Sequence, residues 1–171
     1  MNEQPRQLTR DELELEYNAL RNEIVKRIEL RQQIVAITLT IAGLLMGLGI
    51  TNKALALIYP PLAYFLAVGW AQNDLRIRDI ADYIRERMEK HTSILNWETA
   101  VHEERAATNG KQVRFAILSH TGTIIATQVI AMLIALFGFT VVPVSPIEWV
   151  LLGVDVLAVL LVIRLAFLAR R

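Results

Sequence analysis

The stretch 54–98 constrains this chain more than any other. It opens as an apolar run, ALALIYPPLAYFLAVGW, and passes at Trp70 into AQNDLRIRDIADYIRERMEKHTSILNWE with no Gly or Pro after the change. The second part keeps helical periodicity. Ile77, Ile80, Ala81, Ile84 and Met88 share a face, while Arg76, Arg78, Asp79, Asp82, Arg85, Glu86 and Glu89 occupy the rest. A single helix is therefore expected to leave an apolar medium and continue into water.

Apolar runs also cover 34–50, 115–142 and 147–169. They raise the hydrophobic share of the 171 residues to 54%, above the roughly 45–50% of soluble chains. The first run has seventeen residues, which at about 1.5 Å each approaches the span of a bilayer core. The expected fold is all-α and integral to a membrane, with four transmembrane helices and cytosolic helical extensions forming a stalk or bundle. Along the chain this reads as a disordered lead (1–8), a cytosolic N-terminal helix (9–33), a transmembrane hairpin (34–70), cytosolic helices (71–114) and a second hairpin with a basic C-terminus (115–171). The acidic N-terminus has no apolar core of the kind a cleaved signal carries, so no segment is expected to be removed.

Local signals place the ends. Thr9 and Glu12 fit a capping box, and Asp11, Glu12 and Glu14 suit the positive end of a helix dipole. Leu13, Tyr17, Leu20, Ile24 and Ile28 form a narrow stripe that calls for a partner helix, which the 71–98 face can supply. Thr51, Asn52 and Lys53 make a tight connection, so the second run returns antiparallel to the first. Pro60 and Pro61 should kink that helix or delay its regular part. Tyr59, Tyr64 and Trp70 place polar-tipped rings along it. Asn96 can cap a short second cytosolic helix from Trp97. Gly43 and Gly47 in GLLMG form a small-xxx-small pair, serving either packing within the chain or contact with a second copy.

Orientation follows from basic residues. The connections 51–53 and 141–148 hold one Lys and no Arg, and the remaining segments hold the other 17 Lys and Arg. By the positive-inside rule both termini and the 71–114 segment face the cytoplasm, as in a multi-pass protein of a bacterial inner membrane.

Asp155, in WVLLGVDVLAVLLV, is the sharpest candidate for chemistry. It lies roughly 10–12 Å below the outer surface by helix rise. A charged side chain there costs on the order of 2.5–3.5 kcal/mol. It must face water, be protonated, or find a partner, for which Tyr59 and Tyr64 stand at similar depth. A bundle-ordering carboxyl and a pore or ion site are the competing readings. On the third run His120, Thr123 and Thr127 share a face and Gln128 lies near mid-membrane, so these residues either join helices by hydrogen bonds or line a lumen. The apolar AMLIALFGF beyond them suits a constriction that excludes ions by dewetting. Arg164 suits a lipid anchor at the inner headgroups, or a ring at the inner mouth of an oligomeric pore.

Catalytic readings lack support. No Walker A loop, G-x-S-x-G or G-x-G-x-x-G is present. His91, Glu98, His102, Glu103 and Glu104 lack an H-E-x-x-H pair, so no metal is expected. Without cysteine there are no disulfides or thiolate ligands. Neither an enzyme nor a cofactor is expected. The 71–114 segment carries eight basic and eight acidic residues. A local patch from Arg76, Arg85, Arg87, Lys90, Arg105 and Lys111, with Tyr83 and Trp97 for stacking, could take a cytosolic protein, nucleotide or oligonucleotide. A solvated, ion-paired surface explains the same residues. Membrane lipid and further copies of the chain are the other expected partners.

The pattern Tyr59-Pro60, Trp70, Asp74, Arg76, Ile77, Ile80, Tyr83, Ile84, Trp97, Glu98 resembles that of a group of small bacterial four-helix integral membrane proteins with no assigned activity. The likeness covers about a quarter of the chain. In layout alone the chain is similar to channel effectors of antiphage systems, such as the Hailong channel subunit, in which cytosolic helices hold an oligomeric pore closed. That likeness implies a homo-oligomeric inner-membrane channel gated by its cytosolic helices, and a toxic effector in antiphage defence. A non-conducting scaffold that recruits a soluble partner is the alternative.

Overall fold

The computed structural model describes residues 9–91, 96–107, 111–139 and 145–168. All regular structure among them is helical: α1 (Arg10–Gly49), α2 (Lys53–Tyr83), a π-helical turn (Ile84–Met88), a 3₁₀ turn (Glu89–His91), α3 (Trp97–Ala107), α4 (Lys111–Phe139) and α5 (Pro146–Leu168). Four of these helical stretches are long and apolar enough to cross a membrane.

The capping box forms as the sequence implies. The backbone N–H of Glu12 donates to Thr9 Oγ1 at 3.3 Å, and that of Thr9 donates to Glu12 Oε2 at 2.9 Å. From there α1 runs through forty residues without a break. Asn52 turns the chain and accepts from the Ala54 N–H at 3.2 Å. The turn is so tight that α1 and α2 touch at backbone distance. A Cβ on Gly49 would meet the Ala56 Cβ at 2.6 Å.

Helix α2 is the hub. It packs against α1, α4 and α5, and it passes Trp70 unbroken. Its prolines do not delay it. The helix starts at Lys53, seven residues before Pro60, because its neighbours cover this segment: Ala56, Leu57, Tyr59 and Pro60 are all fully buried. The two helical faces read from the sequence meet in the polar half, where Ile24, Ile84 and Met88 form a cluster flanked by Leu13, Tyr17, Leu20, Ile77 and Ile80.

At the start of α3 the capping group is Glu89. Its carboxylate accepts from the backbone N–H of Glu98 at 2.8 Å and of Thr99 at 2.7 Å, and from the Thr99 hydroxyl at 2.7 Å. Asn96 occupies the cap position, but the free N–H groups go to a side chain from the preceding turn. The residue is a carboxylate, which also suits the positive end of the helix. Helix α5 opens with a second capping box, Ser145 with Glu148. Glu148 then pairs with Lys53 at 3.3 Å, tying the start of α5 to the start of α2.

Candidate functional site

The apolar halves of α2, α4 and α5 enclose the polar groups that matter. Helices α2 and α5 run parallel. Leu57 packs with Leu151, Leu152 and Ala135 at one level, and Trp70 packs with Leu165 at another. Asp155 falls between these levels, one turn past Leu152. It belongs to the buried stripe of α5, after Glu148 and before Ala158, Val162 and Ala166. Its side chain is fully buried, and neither carboxylate oxygen has a hydrogen-bond partner. The expected tyrosine partner is not used: the Tyr59 hydroxyl lies 2.7 Å from Thr127 Oγ1 instead. Tyr64 packs at the edge of the central apolar cluster, its ring 5.5 Å from that of Phe65.

Gln128 is also fully buried. Its Nε2 donates to the Pro60 carbonyl at 2.9 Å, and its Oε1 has no partner. Among the described residues, the bundle interior thus holds three buried acceptor oxygens without donors, two on Asp155 and one on Gln128. Burying such groups dry is costly, so the arrangement suits a proton, a cation or water entering from outside the chain.

Of the other candidates on α4, His120 and Thr127 turn inward onto α2, whereas Thr123 bonds its own helix. His120 stacks on Trp70 with ring centroids 5.4 Å apart. Thr127 bonds Tyr59, and Thr123 Oγ1 donates to the Ser119 carbonyl at 2.9 Å. Arg164 is exposed on α5. Gly43 and Gly47 are also exposed, and a Cβ on either would meet nothing within 4 Å. They therefore do not serve packing within the chain.

The basic residues singled out on the polar helices do not converge. Arg76 is exposed beside Asp79, 3.9 Å away. Arg85 contacts Asp82 at 3.0 Å and His102 Nδ1 at 2.5 Å. Tyr83 donates to Glu16 on α1 at 2.9 Å. Arg87 and Lys90 are exposed. The side chains of Arg105 and Lys111 lie outside the described residues. Arg76 and Tyr83 border one cavity of about 260 Å³ and Arg85 another of about 320 Å³, whereas Trp97 borders one of about 440 Å³ whose cations are Arg21, Arg31 and Arg78. Of these, Arg21 and Arg31 come from α1, which the sequence presents as an ordinary charged helix face. Glu98 is held by Arg21 at 2.6 Å, while His102 Nδ1 faces Arg85.

Comparison with protein-family models, curated proteins and solved structures finds no match for this chain.

Proposed function

We propose that this chain is the subunit of a homo-oligomeric inner-membrane ion channel whose polar helices face the cytoplasm and hold it closed. What carries the reading is Asp155, a carboxyl sealed inside the apolar bundle with both oxygens unpartnered. A residue of this kind is expensive in lipid and characteristic of ion and proton pathways. In the closed bundle the carboxyl is dry. Opening lets water and a cation reach it, so desolvation of Asp155 is relieved in the conducting state and opposes closure.

The polar helices supply the restraint. Helix α3 is tied to the rest of the chain by Glu89 at its first turn and by the Arg21–Glu98 pair. These contacts lie beyond the far end of α2 from the Asp155 level, joined to that helix through the π-helical turn Ile84–Met88. A cytosolic event that frees α3 is thereby transmitted to the apolar bundle. Released in a cell, such a pore depolarises the membrane, the action of a toxic effector in antiphage defence.

The test is a planar-bilayer recording on purified protein. Conductance is expected, with Asp155→Asn reducing cation current. Absence of conductance, together with an Asp155→Asn variant indistinguishable from wild type in a lipid flux assay, defeats the reading. A scaffold role is the second reading, favoured by the inward commitment of His120, Thr127 and Gln128 to α2. It predicts that charge reversals on 71–98 abolish capture of a soluble protein while membrane integrity never changes.

A further inference from the structure

A cavity of about 440 Å³ opens where the apolar halves of α1 and α2 give way to their polar halves. Part of its wall is aliphatic, from Ile24, Val25, Ile28, Ile77 and Val101. The rest is cationic and aromatic. The Arg31 guanidinium sits over the Trp70 ring at 5.7 Å, and that of Arg21 over Trp97 at 5.9 Å. Such a wall can hold a molecule with both a charged and an apolar part.

Its charge is unbalanced in one direction. Asp74 receives Arg31 on Oδ1 at 2.6 Å and Arg78 on Oδ2 at 2.8 Å, and Glu98 receives Arg21 at 2.6 Å. Among the described lining residues, three guanidiniums stand beside two carboxylates. The hydrogen bonding is unbalanced in the same direction. Arg31 Nε and Trp70 Nε1 both belong to residues on this wall, both atoms are buried, and neither has an acceptor. Trp70 is only 2% exposed. Both groups are N–H donors that cannot accept, and leaving each unpaired costs about 1–3 kcal/mol. The wall therefore lacks oxygen acceptors for two buried N–H donors, one of them on a guanidinium.

A phosphodiester meets that requirement. It bears a single charge and two non-bridging oxygens, and guanidinium forks match its geometry. Its source follows from position. Trp70 marks the point where α2 passes from apolar to polar sequence, the level of lipid headgroups in a membrane protein. We propose that this cavity binds the phosphodiester headgroup of an anionic phospholipid. Arg31 Nε and Trp70 Nε1 donate to the phosphate oxygens, and the aliphatic wall carries the glycerol end. The proposal rests on the membrane placement argued above and is independent of conduction.

The tryptophans provide the readout. The chain has three, Trp70, Trp97 and Trp149, and Trp149 lies on α5, outside the cavity lining. Protein labelled with ¹⁵N in the indole is placed in phosphatidylcholine nanodiscs and titrated with phosphatidylglycerol. Inorganic phosphate and glycerol phosphate form a parallel arm. Co-elution with the nanodisc reports membrane insertion separately from binding. The Trp70 N–H resonance, assigned by its loss in Trp70→Phe, is expected to move downfield with phosphatidylglycerol while Trp149 stays. The soluble phosphates are expected to leave it in place. Arg31→Lys keeps the charge but lacks Nε, and should need at least five times more phosphatidylglycerol. Movement with soluble phosphate at equal concentration overturns the lipid source. A stationary Trp70, or Arg31→Lys titrating as wild type, overturns the site.

Discussion

The hydroxyls of Tyr59 and Thr127 meet at 2.7 Å between α2 and α4, and the proton between them has an assignable direction. Thr127 Oγ1 also lies 3.0 Å from the Thr123 carbonyl and 2.9 Å from the Ile124 carbonyl. Carbonyls only accept, so the single Thr127 proton is spent on its own helix and Tyr59 is the donor. The two deletions then differ. Tyr59→Phe removes a donor and leaves Thr127 still bonded, at a cost of about 0.5–1 kcal/mol. Thr127→Val strands a buried phenol proton and costs about 1–3 kcal/mol. Unfolding of both variants in mixed micelles checks the order, and a larger loss for Tyr59→Phe refutes the assigned direction.

Two glycine substitutions on α1 should behave oppositely, although both sites lie in its apolar half. Gly49→Ala drives a methyl to 2.6 Å from the Ala56 Cβ, with Ala56 backbone atoms at 3.3 Å. No flexible side chain can give way there, so the turn between α1 and α2 must open, at about 1–3 kcal/mol. Gly43→Ala meets nothing within 4 Å and should leave the protomer's stability unchanged or slightly raised by helix propensity. Any effect of bulk at Gly43 should appear in oligomer size, read by light scattering or crosslinking.

What could be read from the sequence divides by range. Thr9 with Glu12, the stripes on α1 and α2, and the continuity of α2 through Trp70 depend on residues a few positions apart, and periodicity exposes them. The box Ser145-Pro146-Ile147-Glu148 is equally local, an S-x-x-E pattern with proline at the first helical position. Glu89 capping α3 could not be read, because nine residues separate donor from acceptor and no local pattern joins them. The cavity of Arg21, Arg31 and Trp70 is less legible still. Each arginine looks like part of a solvated face until α1 is laid against α2. Asp155 stands out in any apolar run, whereas its lack of a partner is a property of three packed helices.

Glu89 makes the docking of α3 sensitive to pH. Burial pushes its carboxyl up, but the hydrogen bonds from Thr99 and from the backbone N–H groups of Glu98 and Thr99, with Arg21 nearby, outweigh it and hold it below the ordinary value of 4.5. A depressed carboxyl contributes stability that is fully present above its unfolded value and is lost as the pH falls through its folded one. Protection of the α3 amides should therefore hold from neutral pH to about pH 5 and then decline. Glu89→Gln should show reduced protection at neutral pH, by roughly the 1 kcal/mol of a lost cap, and a flatter profile. Hydrogen exchange by mass spectrometry across residues 97–107 makes the comparison. If α3 restrains a pore, Glu89→Gln also raises basal conductance. Equal protection in both proteins would falsify the capping role.

Asp155 sets stability against activity. Its carboxyl is fully buried with no hydrogen-bond partner, so the folded bundle carries a penalty that a residue of similar size without polar atoms avoids. Asp155→Val should raise resistance to unfolding in mixed micelles by about 1–3 kcal/mol. Asp155→Asn keeps a polar amide in the same dry position and should fall between the two. Conductance should rank in reverse, highest for Asp, since only a carboxylate attracts a cation once water enters. These measurements are independent, and together they discriminate between the readings. If Asp155→Val is the less stable protein, the carboxyl gains a partner from outside the chain and orders the bundle. If it is more stable and conductance is lost, Asp155 is kept for the ion it meets when the bundle opens.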